Sequence, residues 1–255
     1  MLFRSQSKGG PRGRQANPKV LGIVAGVVAL VAVAIVLGFV FTRGSSKASS
    51  VKAVGNATTG LPGSSDVEQM FKGIPQSGTT LGSAFAPVTM VEYIDLQCPI
   101  CQEFETQVMP DIIDKYVRTK KVKVVVRPWA FIGSDSFRGQ AAMLAAAKQN
   151  KGFNYAQVLY NNQGTENTGW LNDNMVTQAA ESVTGLKVPL LLSQRSSSQV
   201  KQQAQTVAAQ AQADGVTGTP SIFVGKSGAK PSYVPLQSGT DSATLVSALN
   251  QALGR

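Results

Sequence analysis

The sequence predicts an α/β protein, a sheet with a helical insertion, preceded by one N-terminal transmembrane helix. Three observations predict it. Two β-rich stretches, VTMVEYIDL at 88–96 and VKVVV at 122–126, flank a helical stretch starting at Pro99. Roughly 80 residues after Gly133 then carry helical patterning, before strands and a last helix return. Finally, residues 20–41 are apolar, broken only by glycine, and carry no charge.

The chain has 255 residues, with 24 basic against 14 acidic side chains, a formal charge of +10. That excess sits at one end: the eight basic residues before position 66 meet no acid, and the remainder carries only +2. Residues 1–19 form a basic tail. As a helix, residues 20–41 reach about 33 Å, enough for a hydrocarbon core of about 30 Å and too long for the apolar part of a signal peptide. Five basic residues precede the span and three follow it closely, which places the N-terminus in the cytoplasm and the C-terminal domain outside. Residues 42–65, rich in Ser, Gly and Thr, read as a flexible linker. The expected location is therefore the cytoplasmic membrane, single-pass, with the domain at 66–255 on the extracytoplasmic side.

In that domain Val88–Leu96 has Met90, Glu92 and Ile94 on one face and Val91 and Tyr93 on the other, as in a central strand. Phe104, Val108, Ile112 and Tyr116 mark the buried stripe of the following helix, which Pro110 is expected to kink. The strand–helix–strand order implies parallel pairing of 88–96 with 122–126. The insertion, about 134–213, begins at a Ser134 or Asp135 cap and includes helices at 171–183 and 189–213. Strands follow at 221–224 and 232–236, and Asp241 or Ser242 caps a helix through Leu253.

The chain contains no histidine, which excludes imidazole acids and bases, serine triads and His-ligated zinc. Its two cysteines form one motif, Cys98-Pro99-Ile100-Cys101, between a strand and a helix start. Positions three apart in a first helical turn face the same way, so the sulfurs can meet, and the helix N-terminus favours a thiolate at Cys98. Half of a zinc site lacks the other ligands, so no metal is expected. A stapling disulfide across so small a loop contributes only about 2 kcal/mol. A redox dithiol remains the leading reading. Nucleic acid is not an expected partner, since the basic tail carries one aromatic residue and no recognition motif.

From about Gly73 onward the chain resembles the DsbA-like thioredoxin-fold proteins of the bacterial membrane-anchored type. The resemblance rests on APVTMVEYIDLQCPICQEFE, KVKVVVRPWAFIGSDS, LYNNQGTENTGW and GVTGTPSIFVG. It implies a thioredoxin fold with the helical insertion. It also implies Cys98 as exposed nucleophile, Cys101 as shielded resolving thiol, and Thr219-Pro220 as a cis-proline loop beside them. Glu92, six residues before Cys98, occupies the place of a buried acid that takes the resolving thiol's proton. A Glu92 facing solvent or pairing with Arg127 is the alternative, and Asp95, in opposite strand phase, is another candidate. Pro99 and Ile100 complete the site. Ile100 stands where strong oxidases of the family often carry histidine, which implies a weaker oxidant.

The resemblance implies a membrane-tethered oxidase acting on cysteine pairs of exported proteins. Its only redox group would be the Cys98–Cys101 disulfide, with no bound cofactor. A quinone-linked membrane protein of the DsbB or vitamin K epoxide reductase type would reoxidise it. With no separate dimerisation domain visible, a monomer is expected. A reductase working in reverse and a non-catalytic envelope scaffold are the competing readings.

Overall fold

The computed structural model describes residues 60–255. The expected tail, span and most of the linker lie outside them. Among the described residues no helix is long and apolar enough to cross a membrane.

Six strands form one mixed sheet: β1 Gln76–Ser77, β2 Thr80–Leu81, β3 Val88–Ile94, β4 Val122–Pro128, β5 Ser221–Lys226 and β6 Ser232–Val234. Their spatial order is β1-β2-β4-β3-β5-β6. β3 pairs in parallel with β4, from Val88 opposite Val122 to Ile94 opposite Pro128, and antiparallel with β5 on its other edge. β3 is thus central and enclosed by core on both faces, as its sequence predicts. Met90 and Ile94 join the main core, whereas Val91 and Tyr93 join a smaller cluster with Phe223, Val207 and Ala211. The hairpin β1–β2 is additional to the expected elements. It pairs β2 with β4 through only two residue pairs, too few to leave a periodic signature.

The folded domain begins before residue 66, the expected boundary. Helix α1, Ser64–Phe71, starts after a left-handed Gly63 and buries Val67 and Phe71. The Leu61 N–H donates to Ser182 Oγ at 2.8 Å, and the Asn162 amide donates to the Pro62 carbonyl at 3.0 Å. Leu61 also packs on the core, so residues 60–65 belong to the folded domain.

The helix after β3, here α2 at 99–117, alternates between two geometries. Pro99–Glu103 and Met109–Ile112 are α-helical, while Phe104–Val108 and Ile113–Val117 are π turns. Its buried residues come in pairs every four positions: Phe104 and Glu105, Val108 and Met109, Ile112 and Ile113, Tyr116 and Val117. A regular α-helix of 3.6 residues per turn would rotate such a stripe off the core, and the wider π turns hold it there. The first π turn also brings the bond-free nitrogen of Pro110 to the start of a fresh α turn, so no simple kink at Pro110 is needed.

The insertion supplies α3 Ser134–Ala147, α4 Gly152–Asn161, α5 Asp173–Glu181, α6 Val188–Gln194 and α7 Ser198–Ala213. The stretch expected as one helix from 189 is two, because Ser197 starts α7 by accepting from the Val200 N–H. α3 begins from Gly133 rather than from a Ser134 or Asp135 cap, with the Ser136 hydroxyl accepting from the Gly133 N–H at 3.3 Å. The last helix, α8 Ser242–Ala252, is capped by Asp241 as expected, its carboxylate accepting from the Thr244 N–H at 3.2 Å.

The loop before α8 presses Gly239 onto α2. A Cβ there would stand 2.8 Å from both the Ile100 carbonyl oxygen and a Glu103 carboxylate oxygen. The carboxylate can swing aside, but the helix carbonyl cannot. Gly239→Ala is therefore expected to cost about 1–3 kcal/mol in chemical denaturation. Gly218→Ala, where nothing lies within 4 Å, should be neutral or slightly stabilising. Equal behaviour of the two variants would contradict this packing.

Candidate active site

Ile94 ends β3, and the Asp95–Cys98 turn closes with the Cys98 N–H on the Asp95 carbonyl at 3.0 Å. Cys98 is the N-cap of α2, in extended geometry, and its Sγ accepts from the Cys101 N–H at 3.4 Å. Pro99 occupies the first turn, where its missing N–H leaves nothing unsatisfied. Both thiols are free, so the structure is the dithiol form.

The two sulfurs are electrostatically unlike. The Cys98 thiol is lowered to about 6, chiefly by the hydrogen bond from Cys101, against opposing burial. Thr219 and the Cys101 and Ile100 N–H groups lower it further. The Cys101 thiol is pushed up, first by burial and then by the neighbouring Cys98. Cys101 is wholly enclosed, and Cys98 is only 5% exposed, less open than the resemblance implies. The Thr219-Pro220 loop covers it: the peptide bond is cis, and the Cys98 thiol donates to the Thr219 carbonyl at 3.2 Å. Attack on Cys98 must come past exposed Pro99 and Ile100, the latter 43% accessible.

Glu92 is 1% exposed and faces the main core, so it neither reaches solvent nor pairs with Arg127. Arg127 lies on the other face of the sheet, bonded to Asp214 at 2.8 Å and to the Tyr93 hydroxyl. Among the described residues neither Glu92 oxygen meets a donor in hydrogen-bond geometry in the dithiol form, and burial, then the charge and hydrogen-bonding reach of the Glu105 carboxyl, pushes its pKa well up. Glu105 is itself raised by burial. The Tyr160 phenol is raised by burial first and then by Cys101, Glu105, Glu92 and Cys98, so all four lie within electrostatic reach of it. Glu105 is the residue that sequence reasoning missed. Its signal is the four-residue series Glu105, Met109, Ile113, Val117, which puts a carboxyl on an otherwise apolar stripe.

Asp95 is committed elsewhere. Its carboxylate accepts from the Gln97 N–H at 2.9 Å and from the Phe131 and Ile132 N–H groups at 2.8 and 2.9 Å. It therefore braces the loop after β4 against the cysteine turn. The insertion adds further braces. The Tyr160 hydroxyl donates to the Asp95 carbonyl at 3.0 Å, and the Gln163 amide donates to the carbonyls of Leu96 and Cys98 at 3.0 and 3.3 Å. Gln97 accepts from the Asn167 N–H at 2.9 Å and donates to Ser136 Oγ at 2.9 Å.

A paired dithiol at a helix N-terminus, one sulfur activated and one enclosed, on a sheet of this order defines a thioredoxin-fold thiol:disulfide oxidoreductase. The Thioredoxin family model Thioredoxin_4 matches residues 76–233, and the chain belongs to that family. It is 28% identical over 165 residues to a probable disulfide bond formation protein D of Bacillus cereus, covering 64% of this chain and 76% of the relative. The structure of oxidised BdbD from Bacillus subtilis superposes with a TM-score of 0.61 at 22% identity, over 71% of this chain and 97% of that one. A thioredoxin-like oxidoreductase from Silicibacter pomeroyi gives 0.56 at 26% identity, over 74% and 98%.

A thiol depressed in the fold stabilises the reduced protein above the ordinary thiol range, and loses that contribution as pH falls through the folded value. Thiolate absorbance should therefore titrate near pH 6 in the reduced protein. The stability difference from Cys98→Ala should grow as pH rises from there toward the ordinary thiol range. A single transition near the usual thiol value, about 8.5, would contradict the asymmetry.

Proposed function

We propose that this chain is a membrane-tethered oxidase of cysteine pairs in exported proteins. The observation that carries the direction is the lowered Cys98 thiol. Stabilising the thiolate stabilises the reduced enzyme, which makes its disulfide a stronger oxidant. Helix 99–117 and the Cys101 donor supply that stabilisation without a cationic side chain at Ile100.

In the reaction, a substrate thiolate attacks Cys98 Sγ of the Cys98–Cys101 disulfide, and Cys101 leaves as a thiolate. A buried thiolate is unfavourable, and Glu92, held protonated below it, is the acid that delivers the proton. The second substrate thiolate then attacks the substrate sulfur of the mixed disulfide, and Cys98 leaves as its stable thiolate. Two electrons pass from the substrate pair to the enzyme, which departs as a dithiol. Thr219 and Pro220 line the approach to Cys98, and exposed Ile100, Phe131 and Phe137 offer apolar contact to an unfolded chain. A quinone-linked membrane partner of the DsbB or vitamin K epoxide reductase type would return the electrons to the membrane. The apolar run at 20–41 and the basic flanks support the tether and its topology.

Cys101→Ser removes the resolving thiol and should trap mixed disulfides through Cys98. Adducts with extracytoplasmic proteins carrying cysteine pairs are expected in cells, separable by reducing electrophoresis. An absence of adducts would favour a scaffold, and adducts confined to cytoplasmic proteins would overturn the topology.

A further inference from the structure

The sheet end opposite the cysteines has no part in thiol chemistry, yet charge and an apolar tip collect there. Three loops meet at the start of β3. The Lys123 ammonium donates to the Ala84 carbonyl at 3.1 Å, the Ser227 N–H to the Pro87 carbonyl at 2.8 Å, and the Val88 N–H to the Lys121 carbonyl at 3.3 Å. Residues 82–87, 118–123 and 226–231 bring Arg118, Lys120, Lys121, Lys123, Lys226 and Lys230 together without one acid. Arg118 is itself paired with Asp114, one helical turn back, at 3.0 Å. From Asp66 onward the chain has sixteen basic and fourteen acidic residues, so outside this end ten basic face fourteen acidic. The domain is polarised. In the first of these loops Phe85 stands 95% exposed, next to Ala84, whose carbonyl Lys123 holds, and Pro87 and Ala229 are also exposed.

We propose that this end docks on the surface of an anionic lipid bilayer, the Phe85 ring entering the headgroup region and the lysines facing lipid phosphates. An exposed aromatic tip among cationic loops fits an interface that is apolar within and negative at its surface. The three loops offer an apolar tip rather than a cleft, which disfavours a folded acidic protein as the occupant. The proposal leans on the membrane-tether reading in one respect: a tethered domain has a bilayer at hand. The described chain enters at Leu61 and Pro62, beside Asn162 at the Cys98 end, so the linker has to run back along the domain for the opposite end to dock. Docked this way, the Cys98 turn points away from the lipid, about 23 Å further along β3, toward exported chains. Release from the surface would then precede reoxidation by a membrane partner, which requires the contact to be weak and salt-sensitive.

The test uses the full chain with vesicles of phosphatidylglycerol or of phosphatidylcholine, reading hydrogen exchange at amides 83–86 and 227–230. The expected result is exchange slowed about tenfold or more by phosphatidylglycerol alone, reversed by high salt. Phe85→Ser and the triple variant K120E/K226E/K230E, all at exposed positions, should abolish the slowing while leaving exchange in β3 unchanged. Equal exchange in both lipids, or slowing at residues 98–101 instead, would overturn the proposal. Slowing by soluble polyglutamate but not by phosphatidylglycerol would overturn it in favour of an acidic protein. Sedimentation with phosphatidylcholine vesicles reports the 20–41 span independently. Failure there with phosphatidylglycerol protection intact sinks the tether and leaves the docking, and the converse sinks the docking alone.

Discussion

The chemistry of this molecule depends on keeping one sulfur ionisable and its neighbour neutral within a single helical turn. Cys98 Sγ is the N-cap acceptor of α2, so the unpaired N–H groups of that turn converge on it. Cys101, one turn along, is sealed from water and cannot share that stabilisation. The same dipole that favours a thiolate at Cys98 therefore makes it the better leaving group, and burial makes Cys101 the thiol that must be protonated. On the proposed oxidase reading, the order of events follows from this one asymmetry.

The rest of the fold holds that turn still. Asp95 ties it to the loop after β4 through the Phe131 and Ile132 N–H groups and accepts from the Gln97 N–H within the turn, and Tyr160 and Gln163 tie it to the helical insertion. Removing the Asp95 carboxylate would strand buried donors, at about 1–3 kcal/mol each. The insertion thus acts as a clamp as well as a cover. Below the turn, Glu92 and Glu105 form a second, linked constraint. Two buried carboxyls side by side resist ionising together, and on the proposed mechanism this keeps a proton for the departing Cys101. The interleaved α and π turns of α2 put Glu105 there while keeping Val108, Met109, Ile112 and Ile113 on the core.

Much of this was readable beforehand. Strand β3 follows from its β-rich alternation, its parallel partner from the strand–helix–strand order, and Asp241, one of two cap candidates, from capping chemistry, whereas the buried place of Glu92 rests on the family resemblance. The three stretches that carry the family resemblance after β3 are also those that brace the site: Phe131 and Ile132, Tyr160 and Gln163, Thr219 and Pro220. What escaped was short or relational. A two-residue strand has no period, and Gly239 matters only because the Ile100 carbonyl happens to lie against it. The π turns were hidden because Phe104, Val108, Ile112 and Tyr116 alone satisfy an α-helix, and only their buried neighbours reveal the four-residue repeat. The domain boundary moved because Leu61 is one of three scattered large apolar residues, with Val51 and Val54, in a polar stretch, a weak signal that tertiary packing overrides.

The central claim is that the Cys101 thiol, with the N–H groups of the helix terminus and without a histidine at position 100, stabilises the Cys98 thiolate enough to drive oxidation. The equilibrium reduction potential of the Cys98–Cys101 couple against glutathione tests it most directly. A value well above thioredoxin's, about −270 mV, yet below that of DsbA, about −120 mV, is the expected result. A value at or below −270 mV would mean that the dithiol is the reactive form, and that electrons flow toward exported disulfides instead.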